Sequence, residues 1–393
     1  MMTNSSFWVA LFSLAHITLA SLGVGFMVLA PIAEGLGRTR PHFTDVAYLI
    51  TRFTLVTYTT SIVLAVFMLE LFIGLFPLTN SLLFNHFRAP LHLALVVFFI
   101  QLLCLYPYYH FWDWFRSKSI TWHIVLGGAA AALILVWAGI LDGIGSYMLT
   151  PVEQETGWAR LWNPTWLPLM VHRFFGNLVI AGYVMAAYAG WRLWNNRHLG
   201  NDAGYYLMVL KTGMSIGIVS LMIQPVSGFV YAYQIQTVRP DVQQELLAGG
   251  SIILVIGQFI LLALLLLGSH LIFRSVHVDR GHSYLGEGLY VLMLCLLVVL
   301  APFPYYRRLI SLIVLVQTGW YLSYVFPVWI RHSTPSLNTP FVHGSVMVLG
   351  AASLILYLTM GTIREVARGP DTIYGIIEHQ TESPERNEAF HAP

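Results

Sequence analysis

Charge is scarce in this sequence. Asp, Glu, Lys and Arg together make up 10% of the 393 residues, against roughly 25% in soluble globular domains. Hydrophobic residues reach 57% and the mean hydropathy is +0.69. A water-soluble domain of this length could not keep itself dispersed with so little surface charge. The 20 basic and 18 acidic residues leave a net charge of +2 and form no basic patch, so nucleic acid is not expected as a partner. Cysteine is nearly absent. Cys104 and Cys295 both lie in apolar runs, which excludes a disulfide framework by count, and without Cys-x-x-Cys-His the chain cannot itself attach a c-type haem. A positive n-region is missing too, since no Lys or Arg precedes Arg38. The first apolar run, 7–31, is therefore expected to stay as a spanning helix and not to act as a cleaved signal peptide.

What the sequence has in abundance is long hydrophobic runs. A spanning helix needs about 20 largely apolar residues to cross about 30 Å of hydrocarbon. Ten stretches meet that requirement: 7–31, 51–76, 89–109, 121–147, 168–194, 206–234, 250–273, 284–303, 308–330 and 341–363. The eighth and ninth are separated only by a Pro-Phe-Pro-Tyr-Tyr turn and read as a hairpin or a re-entrant pair. The expected fold class is all-α, a polytopic integral membrane protein of about ten transmembrane helices with no inserted soluble domain. Four regions follow: 1–234 with helices one to six, 235–363 with helices seven to ten, a short segment 364–375, and a polar tail 376–393. Basic residues in short loops set the orientation. In the first five loops Arg38, Arg40, Arg116, Lys118, Arg192 and Arg197 follow the odd-numbered helices and only Arg88 and Arg160 the even ones, while Arg307 and Arg308 in a later loop fall on the outer side. This bias places the N-terminus outside, and ten spans place the C-terminus outside as well.

Ionisable side chains in a bilayer are costly, and each raises a functional question. With that orientation, His16, His92 and His172 fall in the outer half of their helices, and Glu70 and Glu365 end theirs on the outer side. Met148 and Met360 share this depth. Imidazole, thioether and carboxylate are the axial ligands that proteins give to haem iron, so the shared layer reads as a cofactor site. Each residue also has a plainer reading: a packing histidine, an interfacial carboxylate at a helix end, or a methionine filling an apolar core.

Longer stretches carry a resemblance. Phe7-Trp-Val-Ala-Leu-Phe-Ser-Leu-Ala-His16 followed by Gly23-Val-Gly25 resembles the first helix of the large subunit of cytochrome bd-type quinol oxidases. Arg52-Phe53 through Glu70-Leu-Phe-Ile-Gly74, with Arg88-Ala-Pro90-Leu91, resembles its second helix and the loop into the third. Pro168-Leu-Met-Val-His172 with Ala181-Gly-Tyr183 resembles its fifth, and Leu210-Lys211-Thr-Gly213 through Gln224 and Ser227-Gly228 its sixth. Glu365-Val-Ala-Arg368-Gly-Pro370-Asp-Thr-Ile-Tyr374-Gly375 is similar to the family's Glu-x-Gly-Arg-Gln-Pro-Trp signature. The resemblance implies a bd-oxidase-like helical bundle in a prokaryotic inner membrane. It also implies that His16 ligates a high-spin haem, His172 a low-spin haem b and Glu365 the other high-spin haem, with Arg368 beside it for a haem propionate.

The departures from that pattern shape the expected function. The family's third helix carries two glutamates; here it reads Leu91-His92-Leu-Ala94 and Phe98-Phe-Ile-Gln101. The quinol-binding loop shrinks to 236–249, and the methionine expected to complete the low-spin haem falls near Leu254–Val255, leaving Met148, Met222 and Met293 as substitutes. Oxygen reduction consumes protons that hydrocarbon blocks. The first expectation is therefore a haem b-containing oxidoreductase subunit, assembled with other membrane subunits. It would exchange electrons between membrane quinone or quinol and an outer-face partner, a c-type cytochrome or an iron–sulfur protein. The alternative is an oxygen-reducing quinol oxidase, with haem d still open, whose proton path is rebuilt from groups such as His92 and Gln101. The third is a haem-free membrane anchor.

Overall fold

Apolar runs of this length leave the backbone no water to bond, and helices satisfy it internally. The computed structural model describes residues 4–151, 157–195, 202–247, 249–275, 284–331 and 334–368, and among these there is no strand. The helices are α1 (Asn4–Gly37), α2 (His42–Leu75), α3 (Pro77–His86), α4 (Arg88–His110), α5 (Trp112–Leu149), α6 (Gly157–Leu161), α7 (Trp166–Asn195), α8 (Asp202–Val238), α9 (Pro240–Leu247), α10 (Ile252–Ser275), α11 (Tyr284–Val299), α12 (Pro304–Arg331) and α13 (Pro340–Arg368).

Nine of the described helices are long and apolar enough to cross a membrane: α1, α2, α4, α5, α7, α8, α10, α12 and α13. The chain is a multi-pass helical membrane protein. The expected eighth span differs in length. Its helix, α11, has 16 residues, about 24 Å at 1.5 Å per residue, and packs beside α12 as one arm of a hairpin. The Pro302–Pro304 pair ends the first arm and starts the second, because neither proline offers an N–H to continue a helix. The short helices α3, α6 and α9 fall between α2 and α4, α5 and α7, and α8 and α10, at the same end of an alternating bundle. The α1–α2, α4–α5 and α7–α8 connections occupy the other end. There α5 is broken at Ser119, whose backbone is extended (φ −164°, ψ 106°), so Trp112–Lys118 forms a separate lead-in.

At the centre stands α7, packed on α8, α13, α1 and α5. Small residues let it do so. A Cβ at Gly182 would collide with the Gly217 nitrogen on α8, and one at Gly25 on α1 would lie 2.5 Å from the Asn177 carbonyl on α7. The core built on these contacts joins Phe26, Tyr183, Met185, Met214, Ile272 and Val346. The flank of α2 and α4 is different, with Val56, Phe67, Val96, Phe99 and Leu103 exposed. In a membrane these side chains face lipid or another subunit.

Candidate functional site

Two histidines are held in the same tautomer by unrelated contacts. On α1, His16 Nδ1 lies 2.9 Å from the Ser61 carbonyl of α2 and 3.0 Å from the Ser61 hydroxyl. A carbonyl only accepts, so Nδ1 carries the hydrogen and Nε2 keeps its lone pair. On α7, His172 Nδ1 lies 3.3 Å from Ser227 Oγ. That hydroxyl donates its hydrogen to the Gln224 carbonyl at 3.0 Å and is left to accept from the ring. Nε2 of His172 therefore also keeps its lone pair, and the Gln224 carboxamide nitrogen meets it at 3.3 Å. Fixing the tautomer through the second ring nitrogen is how proteins prepare an imidazole as a metal ligand. Room at this ring comes from Gly228, where a Cβ would stand 3.2 Å from His172 Cε1.

Around these rings lies a buried polar layer. Arg173, next to His172, pairs with Asp142 on α5 and donates to the Tyr357 hydroxyl of α13 at 3.4 Å. Tyr357 in turn bonds Ser21, five residues beyond His16 on α1. Arg364 on α13 donates to the Gly145 carbonyl at 3.3 Å, and its guanidinium bears electrostatically on both Asp142 and His172. The layer holds two guanidiniums against one carboxylate. It also has spare hydrogen-bonding capacity: Arg364 Nε, Asn177 Oδ1 and Gln224 Oε1 are buried without partners among the described residues. Leaving such atoms unpaired costs about 1–3 kcal/mol each; a carboxylate would satisfy the Arg364 Nε donor, whereas the two amide oxygens are acceptors and call for a donor such as water. A haem fits this donor set: lone-pair imidazoles for iron and surplus half-buried guanidinium for propionates.

The other anticipated residues are placed differently. Glu70 and His92 are exposed on the flank of α2 and α4, and neither hydrogen-bonds to the His16 or His172 clusters among the described residues. The backbone of α13 runs through Glu365 to Arg368, at the same end of the bundle as Arg364, but the side chains of Glu365 and Arg368 lie outside the described residues, as does the segment 369–393. Arg364 turns inward to α5. Among the methionines weighed as sixth ligand, Met148 packs against Phe87 and Leu161 and Met222 faces α12 beside Leu322 and Phe326. The position near Leu254–Val255 joins an apolar cluster with Leu169, Tyr231 and Ile363. Its aliphatic side chains offer iron nothing.

Asp142, Arg173 and Tyr357 were not singled out from the sequence. Asp142 and Arg173 lie within the apolar stretches 121–147 and 168–194, so the rule that flags an ionisable residue inside a span applies to them as it does to His16. Nothing in the sequence singles out Tyr357 among 20 tyrosines.

Comparison with known proteins bears on this arrangement. A model of the cytochrome bd terminal oxidase subunit I family matches residues 5–242. A search of curated proteins finds no match. Among solved structures, the bd oxidase from Geobacillus thermodenitrificans superposes with a TM-score of 0.55 over 92% of this chain and 97% of that one, at 16% identity, a likeness of fold. With more than half of its length matched by the family model, the chain belongs to the cytochrome bd terminal oxidase subunit I family.

Proposed function

We propose that the chain is a haem-bearing subunit of a quinol-oxidising, oxygen-reducing membrane complex, with His16 and His172 each presenting Nε2 to a haem iron. The shared tautomer of these imidazoles, fixed by Ser61 in one case and Ser227 in the other, is the observation that carries this reading. Arg173 and Arg364 would hold propionates, with Asp142 keeping Arg173 in place by a buried pair. Glu365 and Arg368, carried over from the signature, would complete a further haem. Gln224, whose amide nitrogen meets the His172 Nε2 lone pair at 3.3 Å, would have to swing aside for the iron. Haem b is the expected type. When bound, the haems supply one-electron transfer and oxygen chemistry, while the chain orients them, excludes water and sets the field around them. The basic residues at the α1–α2, α4–α5 and α7–α8 end support a reading in which that end faces inward.

A second reading, electron transfer to an outer-face cytochrome c or iron–sulfur protein, is favoured by one observation. Gln101 is buried and uncharged and His92 is exposed on the helix where the family has its two carboxylates. Reduced-minus-oxidised spectra of the complex isolated from membranes, together with oxygen uptake on a reduced quinol, separate the readings. The expected outcome is haem in the complex and oxygen uptake. His172→Ala should abolish a low-spin α band, and His16→Ala should lower haem by about one equivalent. Haem without oxygen uptake would favour the second reading, and no haem would reduce the chain to an anchor.

A further inference from the structure

A second buried cluster sits at the opposite end of α1, and the haem site does not use it. Glu34 and His123 are both 0% exposed and Tyr108 is 1% exposed. One Glu34 oxygen lies 2.6 Å from His123 Nδ1, and the other accepts from the Tyr108 hydroxyl at 2.9 Å. His123 Nε2 faces the Tyr108 carbonyl at 2.9 Å. Because a carbonyl only accepts, Nε2 carries a hydrogen, and the 2.6 Å bond must then contain another one, held by the ring or by the carboxyl. Glu34 and His123 thus share one transferable proton. Arg116 stands 3.9 Å from the same carboxylate, stacks on Trp112 and is partly open to water at the break in α5. His123, Tyr108 and Arg116 are the titratable and charged groups facing Glu34.

From this cluster a line of hydroxyls runs up α2 toward His16. Thr51 lies within hydrogen-bonding reach of the Tyr108 hydroxyl. Thr51, Thr54, Tyr58 and Ser61, at 0%, 1%, 3% and 1% exposure, are spaced by three, four and three residues and so share one face of the helix. They cover about 15 Å of its length. The line ends on Ser61, whose carbonyl and hydroxyl both meet His16 Nδ1. Beside it Gln101 is 0% exposed, with its amide on Met27 Sδ and its Oε1 unpartnered. Pro31 has no N–H to give the Met27 carbonyl, which leaves a second spare acceptor in the same place. Thr51 and Thr54 donate to the Ala47 and Ile50 carbonyls of their own helix at 2.8 and 2.9 Å, which leaves the lone pairs of each hydroxyl oxygen to accept a proton.

We propose that Glu34, His123 and Tyr108 take up protons from the α1–α2 and α4–α5 end, and that Thr51, Thr54, Tyr58 and Ser61 relay them to the site at His16. The inference rests on the haem reading above. Each hydroxyl accepts one proton and releases its own, so a proton passes with no net change in any member. The Glu34–His123 pair gives up its shared proton and regains one from water beside Arg116. Successive residues of the line rise about 4.5–6 Å along the axis, and water between their hydroxyls would complete the relay. This route replaces carboxylates on the third span with a path along the second.

The test uses the whole complex in proteoliposomes. Haem content is read by pyridine haemochrome, proton uptake on haem reduction by a pH-indicating dye, and the Glu34 carboxyl by infrared difference spectra in H₂O and D₂O. Glu34→Gln should keep the wild-type haem content and spectrum, lose one carboxyl band, and slow proton uptake by about 10²-fold, the lower end of what a positioned proton-transfer group contributes. Should Glu34→Gln fail to assemble, Thr54→Val tests the relay alone and should slow uptake while leaving the carboxyl band in place. Wild-type uptake rates in either haem-replete variant would overturn the route. Absence of haem from the wild-type complex would overturn the functional reading itself, an outcome visible before any variant is made.

Discussion

The two buried ionic clusters of this chain differ in what they leave unsatisfied. At the Glu34 end, the carboxylate, the imidazole and the phenol each find partners within the trio, and the polar groups close on themselves. At the Arg173 end, two guanidiniums surround one carboxylate, and Arg364 Nε, Asn177 Oδ1 and Gln224 Oε1 have no partner among the described residues. A saturated cluster can hold and exchange a proton with little rearrangement. A cluster with surplus positive charge and an unpaired guanidinium N–H is incomplete until an anion arrives. On the proposed reading, the contrast separates a proton store from a cofactor seat in one bundle.

Variants that unbalance one cluster and spare the other test the contrast. Arg173→Leu should have the largest effect, because it strands the Asp142 carboxylate between helices. Breaking a buried pair from one side costs about 3–5 kcal/mol, read as a fall in the thermal unfolding temperature in detergent, with haem lost as well. Tyr108→Phe comes next. It removes one hydrogen bond to a buried carboxylate, about 1.5–3 kcal/mol, and the haem spectrum should stay unchanged, since the lesion lies in the other cluster. Arg364→Met sharpens the asymmetry. The haem-free chain should lose only about 0.5–1.5 kcal/mol, the bond to the Gly145 carbonyl, while haem retention after dialysis should fall clearly. Equal losses of stability and haem would argue that Arg364 is structural.

The smallest effect is expected outside both clusters. Arg239 and Asp241 form an exposed pair at 2.7 Å at the start of α9, and the Arg239 hydrogen bonds hold the Asp241 carboxyl below its ordinary value. Because the folded-state value is depressed, the stabilisation is present above the unfolded carboxylate range and lost as pH falls through the folded one, below about pH 4. Arg239→Ala should cost under about 1 kcal/mol, an effect that fades in high salt and in acid. An unfolding series against pH with and without the substitution checks the sign.

Sequence alone determined the membrane class and the run of helices, because hydropathy and chain length act locally and water cannot enter to alter the outcome. His16 and His172 were legible for the same reason: an imidazole in the middle of an apolar run stands out wherever the run packs. The expected stretch 284–303 starts where α11 does but runs past its end, because hydropathy continues through Leu300 and Ala301 while the helix stops at Val299, ahead of Pro302. Glu34 was hidden because it follows Pro31, where the apolar run ends, and a carboxylate there reads as interfacial until α4 and α5 are seen to bury it. Asp142 and Arg173 carried a sequence signal, but their pairing spans 31 residues, and the link from Arg173 to Tyr357 spans 184. Only the tertiary structure decided which polar groups meet, since hydrogen bonds and ion pairs depend on approach within a few ångströms, and in this bundle glycine contacts such as Gly182 against Gly217 bring the helices that close.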